Sequence, residues 1–223
     1  MRSISAFFII LVFAVLAFAQ NEQAPVTEKR FDYKDWSYKN VNGEGEVNLR
    51  KFAADKKLVM VVYWAPWCPN WRHDVAFVQQ LHEKYEKDGL AVIGVAEYDP
   101  VDSMKRHIDF YKLTFPNVYE SQQRTDRDKS VHYSQRREAG DTRRWGTPWY
   151  VFLEPEKLEQ KGKTLAANVN VVNGELIKDE AETFIREKLG LDKKADNEQA
   201  KTNGVIEACD PQTGRLALQK PAD

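Results

Sequence analysis

YWAPWCPNW, residues 63–71, joins two kinds of sequence. KLVMVVYW (57–64), which leads into it, is nearly all apolar and suits a central strand buried on both faces. From Pro69 onward the apolar residues recur at helical spacing: Trp71, Val75, Val78, Leu81 or His82, and Tyr85, with Gly89 closing the segment. Cys68 therefore falls at a strand-to-helix junction. Pro69 takes the first helical position, where its missing N–H costs nothing. A thiol at that point faces unpaired amides and the positive end of the helix dipole, and both favour the nucleophilic thiolate. Arg72, one turn along, can add a positive charge on the same side. His73 lies off that face and reads as a solvated surface histidine rather than a base. A buried cysteine acting only as a small hydrophobe is the plainer alternative, but packing explains poorly why it stands between Trp67 and Pro69. Where a second cysteine would complete C-x-x-C stands Trp71. Trp71 heads the apolar stripe and so reads as core. An indole cannot resolve a mixed disulfide, so an exchange begun at Cys68 needs an outside thiol or Cys209 to finish it.

Working outward, LAVIGVAEY (90–98) reads as a second buried strand and 101–113 as a helix with Asp102 or Ser103 near its start. WYVFLE (149–154) is a third strand. LAANVNVVNGEL (165–176) alternates and turns at Asn173-Gly174. Residues 179–189 form an amphipathic helix on Ala181, Phe184, Ile185 and Leu189, ended by Gly190. Upstream, WSYKNVNGEGEVNLRKFAADKK predicts a small hairpin and a short helical turn. The plan is α/β, a central mixed sheet flanked by helices. Residues 20–34 are polar and read as a flexible lead-in to a domain spanning 35–190. Residues 119–144 are strongly charged, without a clear period, and read as a long inserted loop. A C-terminal extension, 191–223, carries a candidate hairpin around Asp-Pro-Gln-Thr-Gly.

Composition narrows the function classes. Residues 1–19, with Arg2, an apolar run from Ala6 and Ala17-Phe18-Ala19 before Gln20, read as a secretory signal peptide. No second long apolar segment follows, so stable membrane insertion after leader removal is not expected. A net charge of −1 lacks the basic footprint of a nucleic-acid binder. The two cysteines, Cys68 and Cys209, allow one disulfide but no disulfide scaffold.

With these elements placed, the chain resembles the thioredoxin-like superfamily, and in particular its exported TlpA-type redoxins. The stretch 36–68 looks like that family's opening hairpin, linker helix and core strand. LAVIGVAEY matches its second central strand, YKLTFPNV the end of its following helix, and WGTPWYVFLE its cis-proline turn with the strand after it. The similarity runs from about Trp36 to Gly190. The sequence departs from the family at Trp71, which replaces the resolving cysteine, at Val62, where relatives often carry a polar group, and in the long insertion. The resemblance implies a thioredoxin-like fold, a cis peptide before Pro148, and catalysis by Cys68. It also implies that the Thr147–Pro148 turn lies beside Cys68 and offers Thr147 backbone groups to an extended substrate; with Trp67, Trp71 and Arg72 these make up the candidate substrate-binding residues.

The expected function is an exported thiol-disulfide oxidoreductase acting on protein thiols or disulfides through one cysteine, with a small thiol as a further partner. No cofactor or metal is expected. Cys209 is the candidate resolving sulfur if the tail reaches the site. The alternative is a catalytically inactive binding module that uses the rim of Trp67 and Trp145. A peroxiredoxin is less favoured, since Ala65 stands where a peroxide-holding hydroxyl is wanted, although Arg143 or Arg144 could supply a charge.

Overall fold

A computed structural model describes residues 22–192 and the backbone of 207–209 and 216–218. The leader expected at 1–19, Gln20 of the lead-in and the side chain of Cys209 lie outside the described residues. In chain order the elements are β1 (Gln23–Ala24), β2 (Thr27–Lys34), β3 (Ser37–Asn40), β4 (Glu46–Asn48), α1 (Leu49–Ala53), β5 (Leu58–Trp64) and α2 (Pro69–Tyr85). Then come β6 (Leu90–Ala96), α3 (Val101–Tyr111), β7 (Asn117–Tyr119), α4 (Val131–Glu138) and β8 (Trp149–Leu153). The remainder is β9 (Thr164–Val172), β10 (Glu175–Leu176), α5 (Lys178–Leu189), β11 (Glu207–Cys209) and β12 (Leu216–Leu218).

The main sheet runs β2-β9-β8-β5-β6-β7-β3-β4. Strands β5, β6 and β7 are parallel, and β8 and β9 continue the sheet antiparallel on the other side of β5. Every residue of β5 and β6 is buried, as their unbroken apolar runs require. Side chains alternate across the sheet. Met60, Val62 and Trp64 join Val92, Tyr150 and Phe152 in a core with α2, α3 and α5. Val59, Val61 and Tyr63 join Ile93, Val95, Trp149 and Val151 in a second core on the opposite face. A fully buried Val or Leu contributes roughly 1.5–3 kcal/mol, so these two strands anchor the sheet that carries Cys68 at the end of β5.

Two expectations are corrected. Residues 27–34 of the proposed flexible lead-in form β2, paired antiparallel with β9. TEKRFDYK reads as polar because only Phe31 and Tyr33 are buried, while Glu28, Arg30 and Asp32 alternate outward. Charged side chains are what an edge strand carries to avoid pairing with other chains. The inserted segment 119–144 is not one loop: it contains a short 3₁₀ helix over 124–129 and helix α4. The buried face of α4 is His132, Gln135 and Arg136, so no hydrophobic period betrays it. The hairpin expected in the tail is present as β11 and β12. No helix among the described residues is long and apolar enough to cross a membrane.

Candidate active site

Cys68 is the N-cap of α2, in extended backbone geometry, with Pro69 at the first helical position. Its own N–H donates to the Ala65 carbonyl at 3.0 Å. The thiol is free and largely buried, and it donates to the Thr147 carbonyl at 3.1 Å. The Thr147–Pro148 peptide is cis, as the resemblance implies. Sulfur and turn meet in a groove of about 210 Å³, bordered by Trp67, Asn70, Arg143, Trp145 and Thr147. The Thr147 hydroxyl is buried and has no hydrogen-bond partner among the described residues.

The turn is held from the inserted segment. Arg143 forks onto Asp141, with Nε 3.0 Å from Oδ1 and Nη2 2.7 Å from Oδ2. The same guanidinium donates to the Pro148 carbonyl at 2.8 Å, to Glu22 at 3.2 Å, and at 3.5 Å to the Thr147 carbonyl that accepts from the thiol. Beneath it the fully buried Arg136 of α4 donates to the carbonyls of Arg143 (2.8 Å) and Arg144 (3.1 Å). Gly146 has φ of +65°, and a Cβ there would collide with the Arg136 guanidinium, so only glycine fits. Nε2 of His132 lies 3.2 Å from the Gly146 carbonyl. A carbonyl only accepts, so Nε2 carries the proton and Nδ1 accepts from the Tyr98 hydroxyl at 2.8 Å. Burial, aided by Arg136, holds His132 well below the usual histidine range, consistent with a neutral ring. Glu120 anchors the start of α4 by accepting the N–H groups of Val131 and His132. Next to it, the fully buried Glu97 accepts from Ser121 and is pushed well above the usual carboxylate range by burial and then by Glu120.

Trp67 is half-buried at the groove rim. Its Nε1 donates to the Tyr98 carbonyl at 3.3 Å. Its ring meets Trp145 edge-on at 5.1 Å and carries the Arg124 guanidinium at 4.4 Å. Tyr98, which receives that indole bond, has φ of +59°, a conformation uncommon for a non-glycine residue and often found at functional sites.

Two residues expected on the substrate surface are placed elsewhere. Trp71 is fully buried. It packs on Trp64 with centroids 5.8 Å apart, and its Nε1 donates to Nε2 of His107 at 2.8 Å. Trp64 is fixed in turn by donating to Asn117 at 3.0 Å, in a gap that exists because Gly94 has no Cβ to fill it. Arg72 does not reach the thiol: its guanidinium turns back to the Pro66 carbonyl, at 3.3 and 3.1 Å, and faces a separate groove. The cation beside the thiol's own acceptor is Arg143. Trp67 and Thr147 border the groove, and Pro148 is buried behind it. His73 is exposed, with Nδ1 3.5 Å from a Glu175 carboxylate oxygen.

Sequence reasoning missed Asp74 and Tyr150. Buried Asp74 on α2 accepts from the Tyr150 hydroxyl at 2.6 Å and the Leu176 N–H at 2.8 Å. Burial pushes its carboxyl up to about 6 despite those two hydrogen bonds. Burial, reinforced by Asp74, pushes Tyr150 well above the usual phenol range, and Cys68 adds to that shift. The available signal was an acid three residues after Trp71, on the apolar face of the helix.

Residues 21–145, more than half of the chain, match the AhpC/TSA family. The thiol-disulfide oxidoreductase ResA of Halalkalibacterium halodurans is 30% identical over 76 residues, covering 34% of this chain and 42% of that protein. The protein of the same name from Oceanobacillus iheyensis is 26% identical over 83 residues, covering 37% and 43%. The chain thus aligns with less than half the length of these curated relatives. A thiol:disulfide interchange protein of the thioredoxin family from Chlorobium tepidum superposes with a TM-score of 0.54 at 14% identity, covering 72% of this chain and 97% of that one. At that identity the likeness speaks to the fold, which is thioredoxin-like.

Proposed function

The chain belongs to the AhpC/TSA family and has a thioredoxin-like fold, and on that premise we propose that it is an exported thiol-disulfide oxidoreductase working through a single active-site cysteine, Cys68. The observation that carries this reading is the Cys68 sulfur, at the first turn of α2 and 3.1 Å from the carbonyl before a cis proline. In the reaction, the Cys68 thiolate attacks one sulfur of a substrate disulfide. A new S–S bond to Cys68 forms as the substrate bond breaks, and the departing sulfur leaves with the electron pair and takes a proton from water. An outside thiolate then attacks the mixed disulfide and frees one of its sulfurs in the same way. One disulfide is consumed and one formed, so the exchange balances without another oxidant. Trp67 and Thr147 border the substrate channel, while Trp71 supports it from below without touching substrate.

Peroxide reduction fits less well, because Ala65 offers no hydroxyl and the donors of Arg143 are engaged by Asp141, Glu22 and Pro148. A purely binding role would use the same aromatic rim without needing the sulfur. The test is a chase with a peptide disulfide, quenched in acid and read by intact mass. An adduct of half the peptide on Cys68, absent from Cys68→Ser, is expected; an unlabelled protein that still binds the peptide would instead leave a binding module. Export rests on the N-terminal sequence, and a mature protein beginning at Gln20 is the expected result of N-terminal sequencing.

A further inference from the structure

A second groove, of about 490 Å³, is bordered by Trp67 but not by Cys68. Trp67 borders both grooves, so the two adjoin around one indole. Arg72, Asp99, Arg106 and Phe110 line the second groove. Its volume falls in the range of small-molecule sites, about 300–1,000 Å³. Its charges are available to a ligand. The two bonds from Arg72 to the Pro66 carbonyl use Nε and Nη2 and leave the Nη1 donors free. Arg106 and Asp99 make no ion pair or side-chain hydrogen bond among the described residues. His107 in the groove wall is held down to about 4 by burial and by Arg72, so it adds no charge near neutral pH. Phe110 is 77% exposed at the rim, the one large apolar side chain so exposed among the described residues.

Trp71 occupies the resolving position, so no cysteine of α2 can complete the proposed exchange, and an outside thiol is taken for that role. Two arginines and one aspartate in a small groove complement a molecule with more carboxylates than ammonium groups. The exposed ring offers its apolar stem a surface. We propose that this groove binds the resolving co-substrate, a low-molecular-weight thiol of amino-acid type with net negative charge. Arg72 and Arg106 take its carboxylates and Asp99 its ammonium, and the thiol reaches the Cys68 mixed disulfide past the edge of Trp67. The attacking thiolate forms a new disulfide with one sulfur of the pair; the other leaves with the bonding electrons and gains a proton from water. This inference rests on the reading of Cys68 as an exchanging thiol.

The test uses the full chain with Cys209→Ser, so that one sulfur is read. Cys68 is loaded with thionitrobenzoate from its symmetrical aromatic disulfide, and release of the coloured thiol is followed. The attacking thiols are glutathione (anionic), 2-mercaptoethanol (neutral) and cysteamine (cationic), each normalised to its rate on the same mixed disulfide of free cysteine. Glutathione should saturate and show a normalised rate above the other two by about tenfold, the equivalent of one good charge-assisted contact. Arg106→Gln should bring glutathione to within about twofold of 2-mercaptoethanol, as loss of that contact requires. Equal normalised rates without saturation, or an Arg106→Gln protein that keeps the full preference, overturn the co-substrate site while leaving the exchange reading intact. A Cys68 that takes up no label overturns both.

Discussion

Nε1 of Trp71 lies 2.8 Å from Nε2 of His107, so the residue in the resolving position is tied to α3 rather than turned toward the thiol. An indole N–H only donates, so Nε2 of His107 must accept, which requires a neutral ring with its proton on Nδ1. Burial, with a further contribution from Arg72, lowers His107 from 6.5 to about 4. The native state therefore binds fewer protons than the unfolded chain between those values. The contribution of His107 to stability is complete above the unfolded value and is lost as pH falls through about 4, a loss of about 3 kcal/mol. Urea unfolding across this range should show His107→Phe losing stability as pH rises, while the wild type stays nearly level because Asp74 acts in the opposite sense.

Replacing Trp71 by Cys removes a fully buried indole and leaves His107 without its donor. The cost should be about 3–5 kcal/mol, as for other large-to-small core changes. The variant also restores a C-x-x-C spacing from Cys68. Reductase activity per folded molecule should rise, because a second sulfur can complete the exchange internally. Denaturant unfolding combined with activity measured on the folded fraction checks both parts.

Asp74 acts on stability in the opposite sense. Its folded-state value, about 6, lies above the ordinary 3.8, so the native state holds the proton longer than the unfolded chain does. Stability from this group is fully present below the unfolded value and is lost as pH rises through about 6, by about 3 kcal/mol. Between those values His107 and Asp74 largely offset each other in the wild type. Asp74→Asn should expose the His107 slope, so its stability should climb with pH across the interval more steeply than the wild type's.

Arg136 joins the inserted helix to the proline turn through two carbonyls and lies 3.7 Å from Asp141. Arg136→Met should cost about 3–5 kcal/mol, as when one partner of a buried charged network is lost. It should also slow adduct formation at Cys68, because the turn that positions Thr147 loses its support. The exposed neighbour Arg137, changed to Met, should stay within about 0.5 kcal/mol of the wild type. Thermal unfolding and the adduct rate of the two variants check this.

The part of the fold that positions Cys68 was legible because its signals are local. The apolar run into Trp64, the period change at Pro69 and the Gly-Thr-Pro turn each specify backbone geometry within a few residues. Strand β2 and helix α4 were not legible, since each buries only a few residues among many charges. The roles of Arg136 and Arg143 depend on carbonyls that fold back beside them, and no periodicity encodes that. Arg72 was misplaced for a related reason. Helical spacing from Cys68 gives its position along α2, but the Pro66 carbonyl decides where its guanidinium turns. Asp74 could have been found from its place on an apolar stripe, whereas its partner Tyr150 lies 76 residues away in sequence.

The Cys68 sulfur should turn over disulfides although no second cysteine follows it in α2. The most direct measurement is the steady-state rate of peptide disulfide reduction, driven by an excess of glutathione, for the wild type and Cys68→Ser. Many turnovers per molecule are expected for the wild type and the uncatalysed background rate for Cys68→Ser. A wild-type rate no faster than that background, or a Cys68→Ser protein as fast as the wild type, would contradict it.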